Sequence, residues 1–468
     1  MPLGELRIVK TCMVAQRAAI EVVAQNIANA ATPCYTRQRP VLTPIAATQM
    51  VDPTKAGQGV SLDYVQRLTD TRLQARINLQ RGMYQQAQTL SFGLERIEGV
   101  VGDMDEGMQS ALTDFFNAWD DLGADGNNLG ARARVVSTGQ ALADALHAHR
   151  ATLQSLAGDI EGQFNDLVAR ANALLERVAE LNKQAMGNEG RMGGNMAAVQ
   201  RDQACQELAE LLGATTLAQP DGSLSVLISG LQVVDVGTAS RVELVADPAD
   251  PSIHHLSIQG HVDPGVSESW LSPTLGQVQG ITGQALALLQ IRDQYMPAYL
   301  QRLDEFAGVL AEAVNTRHQL GFDLNGDPGG VFFEYDPTGP AGSLQVSATI
   351  AADSRLTAAS GVANTSGDGQ AAFAIGAIRY ERLFGIATAE QYVADLMAQA
   401  GADVVAAQDA AVTRENLLQA LEDRFQERYG VSVDEESVEL MKYQKAFIAA
   451  TRVAEVVNEM MESVLDLV

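Results

Sequence analysis

The sequence predicts a mainly α-helical, elongated, multi-domain protein with one small β-rich insertion. Three observations carry that reading. Both ends of the chain place an apolar residue every three or four positions, the seam of a helix built to pair with another helix. From Val135 to Ala185 the same near-heptad spacing runs on without one proline. A continuous helix of about 50 residues would be about 75 Å long, more than a compact domain needs. Between Ala214 and Pro273 the texture changes to alternating apolar runs separated by turn signals.

In chain order, the first seam reads Leu6, Val9, Met13, Gln16, Ile20, Val23 and Ile27, with Gln16 as its one polar knob. Thr32-Pro33 ends that helix, because proline has no N–H to donate and pushes the residue before it out of the helical region. Residues 33–70 read as an extended linker punctuated by Pro40, Pro44, Pro53, Gly57 and Gly59, with short strands expected near Val41 and Val60. Helices follow through Leu73–Ile97 and Leu112–Trp119, and Gly123–Gly130 separates them from the long helix. Gly187–Gly194 ends the long helix, and a shorter one carries Leu208 and Leu212.

The β-rich stretch holds Leu224–Ile228 and Arg241–Val245, with Asp221-Gly222 as a turn. Helix returns from Gly283 to Leu320, with a kink expected near Pro297. A loop crowded with Gly, Pro and Asp follows over 322–342, residues 343–380 are weakly patterned, and another helix spans about 389–428. Gly430 suits a helix C-terminal cap, and Ser432 with Glu435 forms a capping box that opens the last helix. Its seam is Leu440, Tyr443, Phe447, Ala450, Ala454, Val457, Met461, Val464 and Val468. The expected division is therefore nested. Terminal coiled-coil helices plus linker occupy 1–70 and 432–468, a helical rod domain 71–213 and 276–431, and an outer β domain 214–275.

Charge narrows the partners. Over 468 residues, 58 acids outnumber 32 Lys and Arg for a net −26, so phosphate backbones and anionic membranes are repelled. The two ends differ: Arg7, Lys10 and Arg17 leave residues 1–30 at +1, whereas eight acids against three cations leave residues 432–468 at −5. Opposite signs favour their pairing. Three scattered cysteines, Cys12, Cys34 and Cys205, make no disulfide framework or zinc set. Charged residues interrupt the only candidate leader, and no stretch has the length of a membrane span.

Candidate chemistry is thin. Asp323, Asn325, Asp327 and Glu334 fall at calcium-loop positions, but Pro328 stands where that loop needs glycine, so a solvated turn is expected. His254, His255 and His261 have no cysteine near them in sequence, and His147 and His149 point to different faces of a helix. Nucleophile elbow, phosphate loop and dinucleotide fingerprint are all missing, so no catalytic, cofactor or metal residue is assigned. A wall-cleaving enzyme would need a further domain with convergent carboxylates, and a pore former would need long apolar segments.

The string Gln25-Asn26-Ile27-Ala28-Asn29-Ala30-Ala31-Thr32-Pro33-Cys34-Tyr35-Thr36-Arg37-Gln38 resembles the signature after the first helix of flagellar axial proteins. Val431-Ser432-Val433-Asp434-Glu435-Glu436, Tyr443-Gln444-Lys445-Ala446-Phe447 and Ala449-Ala450-Thr451-Arg452-Val453 resemble the end of the hook-associated protein 1 family. Phe115-Phe116-Asn117-Ala118, Ala179–Gln184, Arg201-Asp202-Gln203 and Gly321–Gly326 agree with that family, and the likeness covers nearly the whole chain. Asn26, Asn29, Thr32, Pro33, Tyr35, Arg37, Asp434, Glu435 and Gln444 carry the motif.

The resemblance implies a non-enzymatic junction subunit between flagellar hook and filament, or else another axial subunit such as a hook or second junction protein. It implies a ring of identical copies whose terminal helices line an inner tube and order on assembly. Implied neighbours are the hook protein and the second hook–filament junction protein. A cytosolic export chaperone is implied at the C-terminal helix, followed by type III export to the extracellular flagellum without a cleaved signal. One departure stands out. The family turn carries glycine where this chain has Cys34, so either a type I turn or modest strain is expected there.

Overall fold

A computed structural model of the protein describes residues 2–45, 58–102, 104–186, 188, 190–246, 254–259, 269–271, 282–365 and 367–465. The first helix, α1, is Pro2–Ala28, and the antiparallel hairpin β1 (Gln38–Pro44) with β2 (Val60–Arg67) follows it. Four helices come next: α2 (Thr71–Gly102), α3 (Met104–Ala124), α4 (Leu129–Ala185) and α5 (Met192–Leu212). At 57 residues, α4 is about 85 Å long, longer than the proline-free stretch suggested. Its opening turn is capped by Asn128, whose side chain accepts from the N–H groups of Gly130 and Ala131.

The β-rich stretch forms two antiparallel sheets. One has the order β3 (Thr215–Ala218), β4 (Leu224–Ile228), β5 (Leu231–Asp235), β6 (Thr238–Ala239). The other joins β7 (Arg241–Ala246), β8 (His254–Gln259) and β9 (Ser269–Leu271). The expected kink before Pro297 takes the form of a π turn, Ile291–Tyr295, between α6 (Gly283–Gln290) and α7 (Met296–Leu320). The wider turn accommodates proline's missing N–H without ending the helix. Short pieces follow: β10 (Phe333–Glu334), α8 (Pro340–Ser343), β11 (Gln345–Val346), α9 (Ala348–Ala352) and α10 (Gln370–Gly376). The chain closes with α11 (Ala389–Tyr429) and α12 (Val433–Leu465).

The chain separates into two compact units whose boundaries fall inside α2, α4, α6 and α11. One comprises residues 1–85, 167–284 and 413–468, the other residues 86–166 and 285–412. The second unit is built around an aromatic core of Phe115, Phe116, Trp119, Phe332 and Phe333, all 0–1 % exposed. Trp119 meets Phe332 edge-on at 5.3 Å, and Phe332 meets Phe333 at 4.8 Å. His318 sits inside this core with both ring nitrogens engaged: Nδ1 is 2.7 Å from the Gly330 carbonyl, and Nε2 accepts from the Ala358 N–H at 2.8 Å. Burial pushes its pKa down to about 4, so the ring is neutral and structural. Buried Arg132 likewise serves the backbone, donating to the carbonyls of Gly126 and Thr357.

In the first unit, Leu73 and Ile77 of α2 pack with Leu418 and Phe425 of α11. The α1 helix packs on both the β1–β2 hairpin and α12.

Candidate assembly interface

Helices α1 and α12 run antiparallel. Asn26 meets Glu436 at one end, while Leu6, Val9 and Met13 share an apolar groove of about 310 Å³ with Phe447 and Ala454 further along. Of the seam residues, Val9, Val23, Ala450 and Val457 are buried. Leu6, Met13, Ile20, Ile27, Leu440, Tyr443, Phe447, Ala454 and Met461 are half-buried, and the side chains of Val464 and Val468 lie outside the described residues. The two predicted seams thus meet, but a single copy only half covers them. Gln16 lies in the seam with its Oε1 buried and, among the described residues, without a hydrogen-bond partner.

A second buried face of α1 was not foreseen. Ala15, Ala19 and Val22, spaced by one turn, are 0–1 % exposed on the side that takes the hairpin. Small residues at that spacing let two backbones approach closely, which was the one signal available.

The motif residues explain how the ends are joined. Asn26 is fully buried and satisfies its whole amide: Nδ2 donates to the Gln38 carbonyl and to Glu436 Oε2, both at 2.8 Å. Its Oδ1 accepts from the Gln38 N–H at 3.0 Å and from the Tyr35 hydroxyl at 2.9 Å. Glu436 is 1 % exposed and also forms an ion pair with Arg37, whose Nε lies 2.7 Å from its Oε1. Arg37 reaches Glu435 Oε2 at 2.8 Å with Nη1. Gln38 continues the chain of bonds, accepting on Oε1 from Asn195 of α5 at 3.1 Å, and Asn195 also donates to the Val65 carbonyl of β2. Burial and the nearby Glu436 carboxylate push the Tyr35 hydroxyl up to about 12, so it stays a donor.

The remaining motif positions shape the turn and the helix start. Asn29 donates to the Gln25 carbonyl, Thr32 Oγ1 to Asn29 Oδ1 at 3.3 Å, and Pro33 is exposed. Ser432 Oγ accepts from the Glu435 N–H at 3.4 Å, half of the predicted capping box, while the Glu435 side chain turns to Arg37 instead of back to the cap. Asp434 and Gln444 are exposed, and Gly430 closes α11 without a left-handed backbone. Glu436, which the pattern of apolar residues does not mark, proves more central than either acid before it.

Cys34 has φ +59°, so the left-handed conformation is kept although the glycine is gone. Strain, not a type I turn, is the outcome. Its thiol faces the Gln206 amide, whose oxygen, in the orientation that satisfies it, accepts from the Arg81 guanidinium. Burial and Asp202 push the Cys34 thiol up to about 11, which leaves it protonated and unreactive.

Asp323, only 6 % exposed, accepts on Oδ1 from the N–H groups of Asn325 and Asp327 at 2.8 and 2.9 Å, so its carboxylate serves the backbone of its own turn, and Glu334 lies in β10. Among the described residues no group of three His, Cys, Asp or Glu could hold a metal ion, and no helix is long and apolar enough to cross a membrane. His261 and the side chains of His254 and His255 lie outside the described residues.

Comparison with known proteins bears on this geometry. Residues 94–333 match the family model of the flagellar hook-associated protein FlgK helical domain, and residues 422–467 that of the flagellar basal body rod FlgEFG protein C-terminal. The flagellar hook-associated protein 1 of Bacillus subtilis is 26 % identical over 98 % of this chain and 97 % of its own. That of Escherichia coli is 25 % identical over 75 % of this chain and 63 % of its own. The flagellar hook junction protein FlgK of Burkholderia pseudomallei aligns with TM-score 0.66, 16 % identity, and coverage of 75 % and 99 % of the two chains, a likeness of fold.

Proposed function

Because the chain belongs to the FlgK family of flagellar hook-associated proteins, structural components of the hook–filament junction, we propose that it builds that junction through its paired terminal helices. The carrying observation is the pair itself: α1 and α12 are locked at one end by Asn26, Arg37 and Glu436, while the seam beyond is half-buried and has surface left to cover. Completing that burial between copies and with neighbouring axial proteins is the expected driving force of assembly, and ordering of the pair is coupled to it. Copies of the same chain, the hook protein and the second junction protein are the proposed neighbours. A cytosolic chaperone holding α12 before type III export completes the route to the flagellum.

In this reading residues 1–70 and 432–468 form the inner tube, 71–213 and 276–431 the helical rod, and 214–275 an outer β domain. A hook or second junction subunit is the rival. The C-terminal match over 422–467 is compatible with it, but the helical-domain match over 94–333 favours the hook-associated subunit. Imaging hooks from cells lacking the gene tests the junction reading. Bare hooks that regain filaments when the chain is restored are expected, whereas filaments attached in its absence would refute the reading.

A further inference from the structure

We propose that the cavity between β2, α5 and the β3–β4 turn binds a small oxyanion, a molecule carrying phosphate or carboxylate groups. The cavity measures about 580 Å³ and lies wholly within the first unit. Arg201 and Asp202, which take no part in the pairing of α1 with α12, line it together with Arg67 of β2. The side chains of Arg67 and Arg201 are 12 and 7 % exposed. Arg201 Nη1 donates to two neutral acceptors, Asn182 Oδ1 at 3.1 Å and the Gly222 carbonyl at 2.9 Å. Asp202 stands between the two guanidiniums: its Oδ2 is ion-paired with Arg67 Nη2, and its Oδ1 is 3.9 Å from Arg201 Nε.

Charge selects the occupant. Among the described residues no other carboxylate lines the cavity, and burial pushes the Cys205 thiol up, so that it stays neutral. Two cations therefore face one anion, a local reversal of sign in a chain with 58 acids against 32 Lys and Arg. Helix α5 adds to the excess. Gly194 and Asn195 of its first turn line the cavity, and Arg191 at its N-cap makes no side-chain cap hydrogen bond, so the positive end of the helix dipole opens there. Guanidinium forks and helix N–H groups both match the oxygens of phosphate or carboxylate. Water satisfies such donors but supplies no charge, whereas an anion completes the compensation of the second guanidinium in a largely buried site. The volume suits a small molecule, and the net −26 of the chain repels polyanions.

Calorimetric titration of the full-length protein at constant ionic strength tests this, with inorganic phosphate as one probe and citrate as the other. Saturable binding of one anion per chain is expected with at least one probe, and the tighter of the two identifies the group recognised. Saturation with neither would overturn the proposal. A pair of variants that leaves both arginines in place separates charge from shape. Ala198 of α5 is half-buried and lines the cavity, so Ala198→Glu sets a carboxylate inside it and should weaken binding about tenfold or more. Ala198→Gln, of the same shape but neutral, should stay within about threefold of the parent. Equal affinity in the parent and Ala198→Glu, or equal weakening by both variants, would contradict an anion site here. Arg67→Gln, on the β2 wall, should weaken binding as much as Ala198→Glu does, and unchanged affinity in that variant would also count against the site.

Discussion

Asn26 makes every hydrogen bond its amide allows, and one of them ends on a carboxylate 410 residues away in sequence. Removing that carboxylate takes away the acceptor of Asn26 Nδ2 and the charge partner of Arg37 Nε. Glu436→Ala is therefore expected to cost about 3 kcal/mol in docking of α12, read as faster amide exchange in α1 and α12. Gln444→Ala, at an equally marked but exposed motif position, should change it by no more than about 0.5 kcal/mol. At Cys34 the left-handed backbone decides the outcome. Cys34→Val, β-branched at positive φ, should destabilise by about 2 kcal/mol or more, while Cys34→Gly should stay within about 1 kcal/mol of the parent in denaturant unfolding.

His318 sets the pH response of the aromatic core. Its folded-state pKa, pushed down to about 4, lies below the ordinary imidazole value, so the unfolded chain binds a proton that the folded chain refuses. Stability is complete above about pH 6.5 and falls as pH drops towards 4, at up to about 1.4 kcal/mol per unit. Trp119, whose ring centroid is 6.0 Å from His318, reports this transition by fluorescence in a Trp270→Phe background, and His318→Gln should remove that part of the slope.

At the scale of elements, the α1–α12 seam is designed to be incomplete. Gln16 keeps a buried oxygen that, among the described residues, has no hydrogen-bond partner, which weakens the pair. Gln16→Leu should strengthen α1–α12 docking by about 1 kcal/mol, measured by protease resistance of the free protein's termini. Lower resistance would show that Gln16 has a role the seam does not reveal.

Both seams were legible because Val9, Val23, Phe447 and Val457 repeat with the helix period, and any apolar stripe must find cover. The face made by Ala15, Ala19 and Val22 was not, since small side chains carry little hydrophobic signal. Glu436 was missed for a different reason: an acid in the first turn of a helix already has an ordinary explanation in the helix dipole. Phe332 and Phe333 fell in a stretch read as loop, yet they complete the core that Phe115 and Trp119 begin. Gln38 and Asn195 are 157 residues apart, and a pairing over that distance leaves no local pattern.

For the whole molecule, α12 is the element that both the intrachain lock and the half-covered seam require, so the account turns on it. Loss of residues 432–468 leaves the Leu73, Ile77, Leu418 and Phe425 cluster and the aromatic core of the second unit in place. The truncated chain should therefore be soluble and folded. Electron microscopy of hooks from cells expressing it should show no filaments attached, although the same chain at full length restores them. Normal hook–filament junctions formed by the truncated chain would contradict the account.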